Sequence, residues 1–201
     1  MSEVGGEKGV WTPANIVTCV RIALIPVFMA VAASAAGLGP AGSVAAFAIY
    51  TLLSLTDKLD GHLARSRGEI TDFGKFLDPI ADKLLVFSAL LLLLQDGWVS
   101  VWAVFIILLR EFLVSALRMV ASASGEVIAA DSLGKAKTAV TMVSLCAFYL
   151  GFALSALGLW SLAAMVLVVA RALFVAAVVL TVVSGAQYFW AARHVVLGPR
   201  R

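Results

Sequence analysis

Cysteine, histidine and charge are all scarce in this chain of 201 residues. Its two cysteines, Cys19 and Cys146, both lie inside apolar runs, so they read as small hydrophobes and offer no disulfide framework. Its two histidines form no cluster: His62 reads as a helix-surface residue and His194 belongs to a basic tail. Charged residues make up 13% of the chain, where soluble domains carry about 25%. The net charge of +3 does not point to nucleic acid, because no basic stripe stands apart from the apolar runs. What the chain has in excess is apolar surface, at 62% of residues and a mean hydropathy of +1.03. A soluble domain of this size could not hide so much, so the excess must face lipid. Soluble enzymes, disordered tails, disulfide scaffolds and nucleic-acid binders are excluded on that ground.

A bilayer core about 30 Å thick needs roughly 20 apolar residues per helix. Stretches of that kind lie near 16–36, 41–56, 79–95, 98–121, 138–157 and 166–190. They predict an all-α, polytopic membrane protein with six transmembrane helices, residues 1–201 forming one membrane domain. The breaks carry turn residues: Gly37-Leu38-Gly39-Pro40, Asp96-Gly97, and Ser155 through Gly158. At about 1.5 Å per residue, 158–190 is too long for one upright helix, so its first part is expected to be an interfacial turn or a tilted entry. Breaks after the first, third and fifth spans hold no Lys or Arg. The opposite side holds Lys8, Lys58, Arg65, Arg67, Lys75, Lys83, Lys135, Lys137, Arg193, Arg200 and Arg201. The positive-inside rule then makes both termini cytoplasmic. Residues 1–12 are expected to be a flexible tail and 191–201 a basic one. Residues 1–36 also have the outline of a signal peptide ending at Ala33-Ser34-Ala35, but Arg21 and Pro26 interrupt its apolar part. Trp11, Trp98, Trp102, Tyr188 and Trp190 sit near span ends and read as an interfacial belt, while Arg171 has no evident task.

Half of the acidic residues crowd between the second and third spans: Asp57, Asp60, Glu69, Asp72, Asp78 and Asp82. Asp57 and Asp60 are three apart at the end of one helix, and Asp78 and Asp82 four apart at the start of the next, so each pair shares a helix face. A short connection makes those helices antiparallel, which lets the pairs converge at the membrane surface. Four carboxylates brought together repel one another unless cations sit among them. Oxygen donors without His or Cys suit hard divalent ions, and two such ions about 4 Å apart can serve displacement at phosphorus. The plainer alternative is a solvated acidic loop that caps two helix ends. Gly61, directly after the second carboxylate, speaks against it: glycine inside a helix costs about 1 kcal/mol relative to alanine, and here it leaves room for a ligand. Ala64 is equally small, Arg65 can bring a fork of donors to a phosphate, and Gly74 suits a close helix approach.

Written out, the run is Asp57-x2-Asp60-Gly61-x2-Ala64-Arg65-x8-Gly74-x3-Asp78-x3-Asp82. At every defined position and spacing it resembles the signature of the CDP-alcohol phosphotransferases. Members of that family are six-helix membrane enzymes, usually homodimers, that break the pyrophosphate of a CDP-linked lipid. The resemblance implies that Asp57, Asp60, Asp78 and Asp82 hold two divalent ions, Mg²⁺ or Mn²⁺, with Asp82 also the general base. It implies that Asp57, Asp60, Gly61, Arg65 and Thr71 bind CDP-diacylglycerol, although Thr71 reads equally well as an ordinary loop hydroxyl. An acceptor hydroxyl would attack the β-phosphorus, Asp82 would take its proton, and CMP would leave. The expected setting is the inner (cytoplasmic) membrane, with the site facing the cytoplasm, lipid and a second copy as partners, and no nucleic acid.

The fourth span carries Arg110, Glu111 and Arg118, and ionised groups at such depth are usually functional. Lys135 and Lys137 follow Gly134 at the start of the fifth. With Arg65, these cations can gather around a phosphate-bearing alcohol. Lys135 and Lys137 fit plain positive-inside anchoring too, Arg110 a buried pair with Glu111, and Arg118 snorkelling. A narrower likeness concerns the stretches 110–118 and 127–138, the opening Pro13-Ala14-Asn15-Ile16-Val17-Thr18-x2-Arg21 and the close Ser184-Gly185-Ala186-Gln187-Tyr188-Phe189. These resemble bacterial phosphatidylglycerophosphate synthases, with Gln187 standing where an acidic residue is more usual. That likeness implies sn-glycerol 3-phosphate as acceptor, bound through Arg110, Arg118, Lys135 and Lys137. Asn15, Thr18 and Arg21 read either as the border of a substrate entrance or as helix capping and interfacial anchoring. Inositol phosphate, serine or phosphatidylglycerol as acceptor keeps the same chemistry. A membrane prenyltransferase would show two Asp-rich motifs in a larger bundle, and an ion carrier would place its carboxylates near the midplane.

Overall fold

The computed structural model describes residues 12–67, 72–123 and 132–197, with the side chains at 14, 57–67, 72, 75, 78, 122, 123, 192 and 194–197 outside that description. The described residues form six helices and no strand: α1 (Pro13–Ala33), α2 (Ala35–Arg67), α3 (Asp72–Gln95), α4 (Val101–Ala123), α5 (Ser132–Ala156) and α6 (Trp160–Leu197).

Local chemistry sets the helix ends. Thr12 caps α1, its hydroxyl accepting from the Asn15 N–H at 3.3 Å, and Pro13 occupies the first turn, where a missing N–H is harmless. The chain turns at Ser34 and breaks again inside α2 at Gly39, whose φ of +65° disfavours any residue with a Cβ; Pro40 restarts the helix. The break expected at 37–40 is therefore a kink preceded by a helical turn. α3 and α5 end alike. A glycine at positive φ, Gly97 or Gly158, follows each, and a backbone bond closes the end: Trp98 N–H to the Leu93 carbonyl, and Leu159 N–H to the Leu154 carbonyl.

Four helices carry stretches long and apolar enough to cross a membrane: Asn15–Ala33, Ala35–Thr56, Ser132–Ala156 and Trp160–Ala191. The six expected spans reduce to these four on composition because charges interrupt the other two helices. Asp78, Asp82 and Lys83 do so in α3, and Arg110, Glu111 and Arg118 in α4. α6 decides between the two forms expected for 158–190 in favour of one long helix. After the turn at 157–159 it runs unbroken for 38 residues, about 57 Å, and it carries helix through residues 191–197 of the expected tail.

The chain divides into two compact units, residues 1–92 and 93–201. In the first, α1 packs along α2 through the fully buried rings of Phe28 and Tyr50, centroids 5.5 Å apart. In the second, α5 and α6 run antiparallel. The Ser144 hydroxyl donates to the Ala170 carbonyl at 2.9 Å, and Gly151 is so close to Leu167 that a Cβ there would meet its Cγ at 2.6 Å. α4 packs along α6 and reaches α5 through side chains. Trp98, just before it, stacks on Phe152 late in α5, while Glu111 meets Lys137 early in α5; Arg110 and Arg118 meet Ser184 and Tyr188 in order along α6. Arg171 finds its task here, its guanidinium lying 5.0 Å from the centre of the Trp98 ring.

Candidate functional site

In the first unit, one buried stripe on α1 passes from polar to apolar along the helix: Asn15, Thr18, Arg21, Ile25, Phe28. Arg21 is 2% exposed, far too buried for an interfacial anchor. A guanidinium held so far from water needs an anion, and it has one: its Nη1 donates to Asp82 Oδ1 on α3 at 3.2 Å. The Asp82 side chain is itself about half exposed, at 46%.

The other members of the acidic run are placed only by their helices. Asp57 and Asp60 fall within α2, and Asp78 and Asp82 within α3. The side chains of Asp57, Asp60, Gly61, Arg65 and Asp78, and the whole of Thr71, lie outside the described residues. Among the described residues no group of three or more His, Cys, Asp or Glu gathers to hold a metal. The donor chemistry of the run still fits a hard divalent ion: carboxylate oxygens alone, one of them on the half-exposed Asp82.

In the second unit, three helices meet at a charged cluster. Glu111 Oε1 on α4 accepts from Arg110 Nη1 at 2.9 Å and from the Lys137 ammonium of α5, so two cations share one carboxylate oxygen. Arg110 Nη2 also donates to the fully buried Ser184 hydroxyl of α6 at 3.2 Å. Two glycines leave space for the arginine. A Cβ at Gly185 would stand 3.0 Å from its Cγ, and one at Gly134 would stand 3.4 Å from Nη2. Two turns further along α4, Arg118 Nε donates to the Tyr188 hydroxyl at 3.3 Å and its guanidinium lies 5.5 Å from the ring centre.

Of the four expected acceptor cations, then, Arg110 and Lys137 share a partner, Arg118 sits one interaction away on the same helix, and Lys135 is an exposed surface residue. Lys137 is 5% exposed, which removes plain anchoring as its role. Tyr188 is 3% exposed and packs with Val114 and Leu117, so it does not belong to an interfacial belt; Trp102 and Trp190 are largely exposed, as belt residues would be. Glu111, Ser184 and Tyr188 were not among the expected site residues. The sequence signals for the last two were their place in the stretch 184–189, which carries the narrower likeness, and their spacing of four, which puts a hydroxyl and a phenol on one face of α6.

The sequence matches the family model for CDP-alcohol phosphatidyltransferases over residues 11–183. A relative from Bacillus subtilis named CDP-diacylglycerol–glycerol-3-phosphate 3-phosphatidyltransferase is 40% identical, across 87% of this chain and 92% of its own length. Proteins of the same name from Shigella flexneri and Rickettsia bellii are 38% and 35% identical, each across 89% of this chain and 93% and 94% of their own lengths.

Proposed function

Since the chain belongs to the CDP-alcohol phosphatidyltransferase family, we propose that it transfers the phosphatidyl group of CDP-diacylglycerol to sn-glycerol 3-phosphate, giving phosphatidylglycerophosphate and CMP. The observation that carries the acceptor half is the cluster of Arg110, Glu111, Lys137 and Ser184, with Arg118 beside Tyr188 on the same pair of helices. Its charged groups sum to a positive site inside an apolar bundle, which suits a phosphate-bearing alcohol and not a neutral one. Relatives named for this transfer support it along nearly the whole chain.

On this reading Asp57, Asp60, Asp78 and Asp82 hold two divalent ions, Mg²⁺ or Mn²⁺, which when bound neutralise pyrophosphate charge and ease departure of the leaving group. Gly61 leaves room for the CDP moiety, which Arg65 and Thr71 contact. Asp82 takes the proton of the acceptor hydroxyl as that oxygen bonds to the β-phosphorus; the bond from phosphorus to the bridging oxygen breaks, and CMP leaves with the electron pair. Arg21, by holding Oδ1, fixes the orientation of the Asp82 carboxylate. Arg110, Arg118, Lys135 and Lys137 bind the acceptor's phosphate. Six spans with both termini cytoplasmic, a site at the cytoplasmic face of the inner membrane and a homodimer complete the proposal.

The test is an acceptor panel. Purified protein in lipid discs receives CDP-diacylglycerol with glycerol 3-phosphate, inositol phosphate, serine or phosphatidylglycerol, and CMP release is followed. Release with glycerol 3-phosphate alone is expected; release only with another acceptor would overturn the proposal.

A further inference from the structure

Glu111 stands where an anion is wanted, yet it is not a substrate. One of its oxygens takes both Arg110 Nη1 and the Lys137 ammonium, from two helices, at a place where Lys137 is 5% exposed. A carboxylate is a fair stand-in for a phosphate: it presents oxygen to the same donors at the same distances, with half the charge of a phosphate dianion. Arg110 is also not saturated. Its Nε is buried and has no hydrogen-bond partner among the described residues. A cluster of two cations and one anion, with a spare buried donor, is arranged to exchange its anion.

We propose that Glu111 is the exchangeable counter-ion of the acceptor site: it holds Arg110 and Lys137 between turnovers, yields them to the acceptor's phosphate, and takes them back to expel the phosphate-bearing product. This rests on the proposed function of the second unit as the acceptor end. Between turnovers the carboxylate keeps two buried cations satisfied, which an apolar bundle requires. During turnover it competes with acceptor and product alike. Weakening both equally raises KM, but the same competition frees a product that keeps its phosphate and would otherwise stay bound to two buried cations. Arg118 and Lys135, neither of them tied to Glu111, offer the incoming phosphate its first contacts.

Glu111→Gln keeps the shape and removes the charge. With CDP-diacylglycerol saturating, KM for glycerol 3-phosphate and the inhibition constant of inorganic phosphate should each fall about tenfold. The turnover number should fall as well, with a first-turnover burst of CMP that wild type lacks. Glu111→Asp, which restores the anion, should remove the burst. KM and the inhibition constant unchanged or raised, in a variant that melts like wild type, would overturn the proposal. If Glu111→Gln does not fold, wild type labelled with ¹³C-glutamate decides. Saturating inorganic phosphate should shift a glutamate carboxylate band in the infrared difference spectrum, and a spectrum without one overturns the idea. Failure of wild type to use glycerol 3-phosphate at all would instead remove the proposed function, whatever the variants do.

Discussion

At the scale of single residues, the pair of Arg21 and Asp82 separates stability from chemistry. Asp82 is half exposed, so an ion pair there contributes at most about 1 kcal/mol to folding. On the proposed mechanism its geometric role is larger, since a base must face the hydroxyl it deprotonates to within a fraction of an ångström. Arg21→Gln is therefore expected to lower kcat more than tenfold while the thermal midpoint moves little, and Arg21→Lys, which keeps a charged donor, to recover part of the loss. A normal kcat in Arg21→Gln would show that Asp82 orients itself. Arg118 makes a different prediction, because its partner is neutral. Tyr188 holds the guanidinium by one hydrogen bond and by its ring face, leaving the full charge for an anion. Arg118→Ala should raise KM for glycerol 3-phosphate more than KM for CDP-diacylglycerol. Tyr188→Phe keeps the ring, loses only the hydroxyl, and should raise it less; steady-state kinetics with each substrate varied in turn reads both.

At the scale of helices, α5 and α6 depend on a close approach that only glycine permits. A Cβ at Gly151 would meet Leu167 Cγ and Cδ2 at 2.6 Å, inside contact distance, so one helix or one side chain must shift. Gly151→Ala is expected to destabilise the second unit by about 1–3 kcal/mol, seen as a lower melting midpoint, and Leu167→Ala in the same chain should restore part of it. Helix identity was legible in the sequence because apolar length and glycine turns are local signals, and Asp96-Gly97 and Ser155 through Gly158 end their helices as the residues suggest. The unity of α6 was legible only as one of two alternatives. A length limit drawn from bilayer thickness ignores that a continuous apolar run keeps its helix and tilts or projects beyond the lipid. Partners were less legible still. Arg21 and Tyr188 near span ends look like anchors by position, and only the fold reveals that one is buried on Asp82 and the other under Arg118. The acidic run is a matter of spacing along the chain, and of its four aspartates only Asp82 has a described side chain.

At the scale of the whole molecule, the number of crossings is what composition alone leaves divided. Four helices pass as spans without help; α3 carries five charged residues and α4 three. Packing argues for α4. From Trp98 beside Phe152 to Glu111 beside Lys137, side-chain contacts of Trp98 and α4 reach fifteen residues of α5, about 22 Å, most of a bilayer core. Its Arg110 and Glu111 turn to α5 and α6, where they are paired, while Trp102, Phe105, Leu109, Phe112 and Met119 form an exposed apolar stripe at helical spacing. A helix lying along a span, with its charges turned inward and an apolar stripe outward, occupies the same slab of lipid. If α4 crosses and both termini lie on one side, as the positive-inside rule expects, α3 must cross as well. The positions of the termini do not test this, because four crossings and six both return the chain to its starting side. The turn at 96–100 does. With six spans it lies on the outer face together with the turn at 157–159; with four it stays on the face of the termini. Single cysteines at Gly97 and Gly158, in a chain whose Cys19 and Cys146 are replaced by alanine, should both react with a membrane-impermeant maleimide added to intact cells, while a cysteine at Arg193 reacts only after lysis. Protection of position 97 alongside labelling of position 158 would leave the protein with four spans.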